Sequence, residues 1–127
     1  MAKKTALIAG GHGVIGRSLL KHLETLPDWE VLSAARRAPD YPSEALHLSV
    51  DLTDRSAVEA ALGERDDITH LFFAALAPAS TLAGEVAPNL AMLRNVVEVV
   101  ERASPGFRRI ILNQGAKVYG SHLGKFR

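Results

Sequence analysis

The sequence has no cysteine in its 127 residues. That excludes a disulfide framework, a thiolate metal site and a cysteine nucleophile. It fits a reducing compartment, so the cytoplasm is the expected location. No apolar run approaches the roughly 18 residues of a membrane-spanning helix. The opening Met1-Ala2-Lys3-Lys4 and the apolar Thr5–Ala9 are too short for a secretory signal and are cut by glycines. No block of like charge stands out, and a net charge of +1 makes no case for a nucleic-acid or acidic partner. There is no internal repeat or low-complexity linker. His12, His22, His47, His70 and His122 are scattered without metal-ligand spacing. What remains is an ordinary soluble composition, 47% apolar and 23% charged, of a length that suits one domain or part of one.

Against that plain background one stretch is unusual. Lys4 to Ala9 is a short apolar run, and Gly10, Gly11, Gly13 and Gly16 follow within seven positions. From Val14 to Leu26 the apolar residues Val14, Ile15, Leu19, Leu20, Leu23 and Leu26 take helical spacing. Strand, glycine turn and helix in that order are the context in which a Gly-x-Gly-x-x-Gly pattern carries meaning. Glycine admits backbone angles that a Cβ forbids, lets the chain approach a pyrophosphate and lets helix and strand pack closely. The helix start presents unpaired N–H groups and a positive dipole end to phosphates. Two registers fit, Gly11-x-Gly13-x-x-Gly16 and the wider Gly10-x-x-Gly13-x-x-Gly16. The second is preferred because the strand ends at Ile8-Ala9. The expected cofactor-binding turn is therefore Gly10, Gly11, His12, Gly13, Val14, Ile15 and Gly16. A plain strand-to-helix turn is the competing reading, and such a turn rarely needs four glycines.

Further along, strands are expected at about 5–9, 29–35, 45–50, 68–75 and 108–113, and helices at about 14–26, 55–62 and 84–103. Pro27-Asp28 stops the first helix. Thr53 or Asp54 caps the second and Gly63 ends it. Pro88 suggests that the third becomes regular only from that point, with Leu90, Leu93, Val96, Val97 and Val100 on its apolar face. The segment 38–44 holds Pro39 and Pro42 and reads as a loop, shorter than the usual helical crossover of about a dozen residues. Alternating strands and helices give an α/β domain with a Rossmann-like parallel sheet in the order 3-2-1-4-5. In NAD-binding domains an acid roughly 20 residues past the glycines bonds the ribose 2′-hydroxyl. Arg36 and Arg37 occupy that place here. A guanidinium suits a 2′-phosphate instead, and two charged hydrogen bonds would favour NADP by roughly one to three decades. The competing reading is a solvated basic turn. Asp51-Leu52, at the end of the third strand, is expected to meet the adenine, although a simple strand-to-helix cap region is nearly as good a reading. Ala74 and Ala75, at the end of the fourth, leave room for a cofactor against the backbone.

These residues together resemble the N-terminal part of an atypical extended short-chain dehydrogenase/reductase, of the progesterone 5β-reductase/iridoid synthase-like family. The resemblance rests on Gly10, Gly13 and Gly16, on Ala35-Arg36-Arg37, and on Asp51-Leu52-Thr53-Asp54. It rests also on Asn89 to Val96, and on Asn113-Gln114-Gly115-Ala116-Lys117-Val118-Tyr119-Gly120. It covers nearly the whole chain and about the first half of a family member. The last block is similar to the family's Thr-Gly-x-Lys-x-Tyr segment, with glutamine in place of threonine, and Lys117 falls on the catalytic lysine. The resemblance implies reduction of an enone C=C bond by NADPH, with the lysine and a more distant tyrosine stabilising the enolate oxygen. Tyr119 does not replace that tyrosine, because the broader superfamily pairs it with lysine four residues on, where this chain has Leu123. Asn89 matches the asparagine of the superfamily's central helix.

Three functions follow as expectations: the cofactor-binding portion of an NADP-dependent reductase, catalytically incomplete by itself; a stand-alone NADP-binding redox sensor or regulatory module; or a fragment of an NAD-dependent sugar-nucleotide epimerase/dehydratase. Arg36-Arg37 weighs against the last. The expected partners are NADP(H), a small-molecule substrate in the complete protein, and a second copy of the chain. That self-association is expected through the fifth strand, left as an apolar edge, or through the chain end.

Overall fold

The computed structural model describes residues 3–10, 13–76 and 79–112. Five strands form one parallel sheet in the order β3-β2-β1-β4-β5: β1 Lys4–Ala9, β2 Trp29–Ala35, β3 Leu46–Ser49, β4 His70–Phe73 and β5 Arg109–Leu112. Three helices connect them: α1 Val14–Glu24, α2 Arg55–Leu62 and α3 Leu82–Ala103. The α/β class, the strand order and the loop between β2 and β3 are as the sequence implies.

The central strand explains the layering. Side chains alternate across a strand. Ala6 and Ile8 therefore face α1 and pack with Leu20, Leu23 and Val31. Leu7 and Ala9 face the other way, into a larger core with Val58 and Leu62 of α2 and Met92, Val96, Val99 and Val100 of α3. A fully buried leucine, isoleucine or valine contributes roughly 1.5–3 kcal/mol. With both faces covered, β1 reads as an unbroken apolar run, as central parallel strands do.

Three expectations need correction. First, α3 begins at Leu82, with Pro88 inside it. Thr81 caps the start by accepting from Gly84 N at 3.0 Å, and Asn89 Nδ2 donates to Glu85 O at 2.7 Å in the turn that the proline loosens. Second, the buried face of α3 is Met92, Val96, Val99 and Val100, whereas Leu90 is 51% exposed. Third, Val14 and Ile15 stand exposed on the first turn of α1. The strands pair over slightly shorter spans than their apolar runs, but the ends stay anchored. Ile68 N donates to Ser104 Oγ at 3.2 Å, and Ser104 Oγ donates to Arg65 O at 2.6 Å, tying the end of α3 to the entry of β4.

At the N-terminal end of the sheet His70 is buried against Trp29, their rings 4.9 Å apart. Burial, with Arg108, Arg109 and Lys4 nearby, holds its pKa below the ordinary 6.5. The folded state thus binds fewer protons than the unfolded chain once the pH drops below that value. The stability contribution is fully present above about 6.5 and is lost as pH falls through the depressed folded pKa. Melting temperature should therefore decline on titration from about pH 8 to about pH 5, and His70→Phe should flatten the decline. A variant that melts with an unchanged pH profile would place the sensitivity elsewhere.

Candidate functional site

Parallel sheets bind ligands beyond the carboxyl ends of their strands, where the strand order reverses. Here the reversal lies between β1 and β4, and a cavity of about 330 Å³ opens there. Its walls come from four strand ends. Gly10 and Gly13 follow β1, Ala35 and Arg36 end β2, Val50 to Thr53 follow β3, and Ala74 to Leu76 follow β4, with Met92 of α3 as a further wall.

Gly10 turns the chain out of the sheet. It has φ +87°, and a Cβ there would lie 2.6 Å from the backbone of Ala75. Its N–H donates to Ala34 O at 2.9 Å, so the turn starts from a fixed point. Gly13 N-caps α1 without a side-chain cap, and a Cβ on it would meet nothing within 4 Å. The fold thus requires glycine at Gly10, whereas at Gly13 it leaves open space beside the cavity. The Gly10-x-x-Gly13-x-x-Gly16 register fits this geometry.

The opposite wall is held by hydrogen bonds. Asp51 Oδ1 accepts from Thr53 N at 3.0 Å and Thr53 Oγ1 at 2.6 Å. Those two bonds, with the Arg36 guanidinium nearby, hold the carboxyl below the usual carboxylate range. The next carboxylate, Asp54, caps α2 by accepting from Ser56 N and Ala57 N. Asn95 reaches in from α3 and donates to Leu52 O at 2.9 Å, fixing the Asp51-Leu52 segment against the core. Ser49 Oγ donates to Arg36 O at 2.9 Å, tying the arginine's backbone to β3.

Of the residues singled out from sequence, Gly10, Gly13, Arg36, Asp51, Leu52, Ala74 and Ala75 meet around this cavity. Val14 and Ile15 are exposed on the adjoining turn, Gly16 is buried within α1, and Arg37 is exposed beside Arg36; none of these four lines it. Gly11, His12 and Lys117 lie outside the described residues. Ala35, Val50, Thr53, Leu76 and Met92 also line the cavity and were not anticipated. Four of these five are sequence neighbours of anticipated residues; Met92 comes from the buried face of α3. A second cavity, about 340 Å³, lies at the opposite end of β2 against Glu24, Trp29, Glu30, Glu44 and Arg65 and has no glycine turn.

The residues present fit a dinucleotide. Among the described residues nothing lies within 4 Å of a Cβ on Gly13 at the α1 N-terminus, where phosphates bind in such folds, and the cation Arg36 lines the same cavity. Fold and site together define a dinucleotide-binding domain of the Rossmann class. The chain belongs to the NAD dependent epimerase/dehydratase family, whose profile matches residues 6–125. It is 33% identical to (S)-8-oxocitronellyl enol synthase ISY2 of Nepeta racemosa, over 92% of this chain and 34% of that protein. It is 30% identical to 3-oxo-Delta(4,5)-steroid 5-beta-reductase of Arabidopsis thaliana, over 98% of this chain and 33% of that one. The chain thus spans about a third of the length of these curated relatives, less than the half expected from sequence. Among solved structures it resembles a short chain dehydrogenase family protein from Francisella tularensis subsp. tularensis SCHU S4, with TM-score 0.76 and 16% identity over 93% of this chain and 53% of that one. It also resembles an Agrobacterium tumefaciens short-chain dehydrogenase/reductase superfamily protein with bound NAD, with TM-score 0.72 and 19% identity over 91% of this chain and 34% of that one. At those identities the structural likeness speaks for the fold. Among the described residues no helix is long and apolar enough to cross a membrane.

Proposed function

We propose that the chain is the NADP-binding portion of a short-chain dehydrogenase/reductase that resembles enone C=C reductases and is not catalytically complete by itself. The observation that carries this reading is Arg36 at the cavity, at the end of β2, where an NAD-specific site would hold an acid. The similarity to the enol synthase and the steroid 5-beta-reductase supports the substrate class. In this reading the backbone of Gly10, Gly11, His12, Gly13, Val14, Ile15 and Gly16 cradles the pyrophosphate. Arg36 and Arg37 meet the 2′-phosphate, Asp51 and Leu52 flank the adenine, and Ala74 and Ala75 leave room for the nicotinamide half. When bound, the nicotinamide cofactor supplies hydride. Lys117 is the catalytic lysine by its place in the motif, adding positive charge where an enolate oxygen forms. The substrate itself would be a small molecule held largely by sequence that this chain does not contain, and the cytoplasm is the compartment proposed.

Calorimetric titration with NADPH and NADH in parallel tests the reading. Preferential NADPH binding is expected. Equal affinity, or a preference for NADH, overturns the NADP assignment and favours the second reading, part of an NAD-dependent sugar-nucleotide epimerase/dehydratase. The family profile supports that alternative.

The same reading includes self-association. β5 is the last strand of the described sheet, with Ile110 44% and Leu112 45% exposed. Among the described residues no strand pairs with the outer side of β5, and such an edge flanked by apolar side chains is a template for a second strand. Light scattering on the chain should give a mass above that of the monomer, falling when Ile110→Lys places a charge on the edge. A monomer at high concentration counts against the edge as an interface.

A further inference from the structure

The connection between β2 and β3 is a strap laid along α1, and two charges of α1, Arg17 and Glu24, stand against the helix dipole, whereas Lys21 and His22 in its last turn follow it. Helices favour anions at the N-terminus and cations at the C-terminus. α1 has no acid in its first turn; Arg17 stands there, and Glu24 closes the last turn. Both grip the strap. Glu24 Oε1 accepts from Glu44 N at 3.0 Å, from Ala45 N at 3.2 Å and from the Ser43 hydroxyl. Three donors account for an acid in that unfavourable place.

Arg17 is less well explained. Its ion pair with Asp40 is 3.7 Å long, and the Asp40 side chain is 82% exposed. Charge-assisted hydrogen bonds run about 2.7–2.9 Å, and exposed pairs contribute about 0–1 kcal/mol. What fixes Arg17 is Tyr41, whose ring lies 4.6 Å from the guanidinium carbon, with Lys21 Nζ 5.4 Å from the same ring. Arg17 is also one turn from the glycine loop, its N–H donating to Gly13 O at 2.9 Å. The strap it touches at Asp40 and Tyr41 is the segment that begins at Arg36 and Arg37. A planar cation stacked on an aromatic ring is pre-ordered for bidentate contact with phosphate oxygens.

We propose that Arg17 is a specificity-determining residue, a third cation for the 2′-phosphate, held over Tyr41 and shared with Asp40 until the phosphate arrives. This rests on the NADP reading above. A phosphate dianion attracts the guanidinium more strongly than a lone exposed carboxylate, so Asp40 is a competitor that the ligand displaces.

The competition makes the test specific. NADPH, NADH, 2′,5′-ADP and 5′-AMP are titrated calorimetrically into the chain and its variants, with melting curves confirming that each is folded. Arg17→Gln should weaken NADPH and 2′,5′-ADP by about tenfold or more and change NADH and 5′-AMP by less than about twofold. Asp40→Asn should do the opposite and tighten NADPH and 2′,5′-ADP. Should Arg17→Gln fold poorly, Arg17→Lys, which keeps the charge but loses the planar fork, should still weaken NADPH and 2′,5′-ADP selectively, and equal changes in all four ligands overturn the proposal. A merely structural ion pair would move both variants in one direction and all four ligands alike, which overturns the proposal while the NADP reading stands. A wild-type chain that does not distinguish 2′,5′-ADP from 5′-AMP overturns the NADP reading itself.

Discussion

Gly10→Ala is expected to destabilise the chain by about 2–5 kcal/mol, combining left-handed backbone strain with overpacking of a fixed wall. The backbone φ is +87°, and the added carbon would sit 2.6 Å from Ala75 Cα and N and 2.8 Å from Ala74 C. These are backbone atoms, so no rotamer change relieves the contact. Nor can the strands part easily, because Ala9 pairs with Phe73 and Ala74 N donates to Ala9 O at 2.9 Å. Gly13→Ala is the control. Gly13 has φ −75° and ψ 174°, which any residue adopts, and its Cβ would meet nothing within 4 Å. Losing glycine at the N-cap costs about 1 kcal/mol or less. Its effect should fall on dinucleotide affinity, by about tenfold or more, because the new methyl occupies the space left for the pyrophosphate. Urea denaturation and cofactor titration of both variants separate the two roles. A Gly10 variant as stable as the parent would mean that the turn relaxes freely. A Gly13 variant with full affinity would move the pyrophosphate away from this turn.

The sheet was legible because its signals are local and agree with one another. β2 begins and ends where its apolar run does, between Pro27-Asp28 and Arg36. α2 runs from Arg55 to Leu62 behind an Asp54 cap, as its sequence implies. Where local signals conflict, reading is harder. Pro88 argues for a late start to α3, yet Thr81 caps the helix earlier and core contacts from Met92 onward outweigh the lost hydrogen bond. The apolar residues Val14 and Ile15 fit a helical stripe but sit on the turn beside the glycines, where the sheet ends and, among the described residues, they join no core cluster. For the site, strand-end residues such as Arg36, Asp51 and Ala75 could be placed from order alone, because a parallel sheet gathers every strand end on one edge. Side-chain grips across the fold, such as Asn95 on Leu52 O and Glu24 on the strap, join residues distant in sequence and leave no local pattern.

Arg36→Glu is the substitution expected to change cofactor choice most. Arg36 is exposed at the end of β2, its carbonyl is held by Ser49 Oγ at 2.9 Å, and it lines the cavity. Because the backbone contact does not depend on the side chain, the variant should keep its position and its melting temperature. Glutamate there repels a 2′-phosphate and can accept from a ribose 2′-hydroxyl. Loss of charged hydrogen bonds worth about 1.5–3 kcal/mol each, compounded by repulsion, predicts NADPH binding about a hundredfold weaker or more, with NADH changed by less than about threefold. The Asp51 carboxyl, now lacking a nearby cation, should also titrate closer to the ordinary carboxylate range, though only slightly, since the Thr53 hydrogen bonds dominate its shift. Arg37→Glu is the comparison. Arg37 is exposed and does not line the cavity, so its contact with the 2′-phosphate is the more solvated of the two and its reversal should cost NADPH less than that of Arg36. Parallel titrations of the two variants with NADPH and NADH decide the matter. Equal losses for both cofactors would remove the 2′-phosphate role from Arg36, and a larger selective loss at Arg37 would transfer it to the neighbouring side chain.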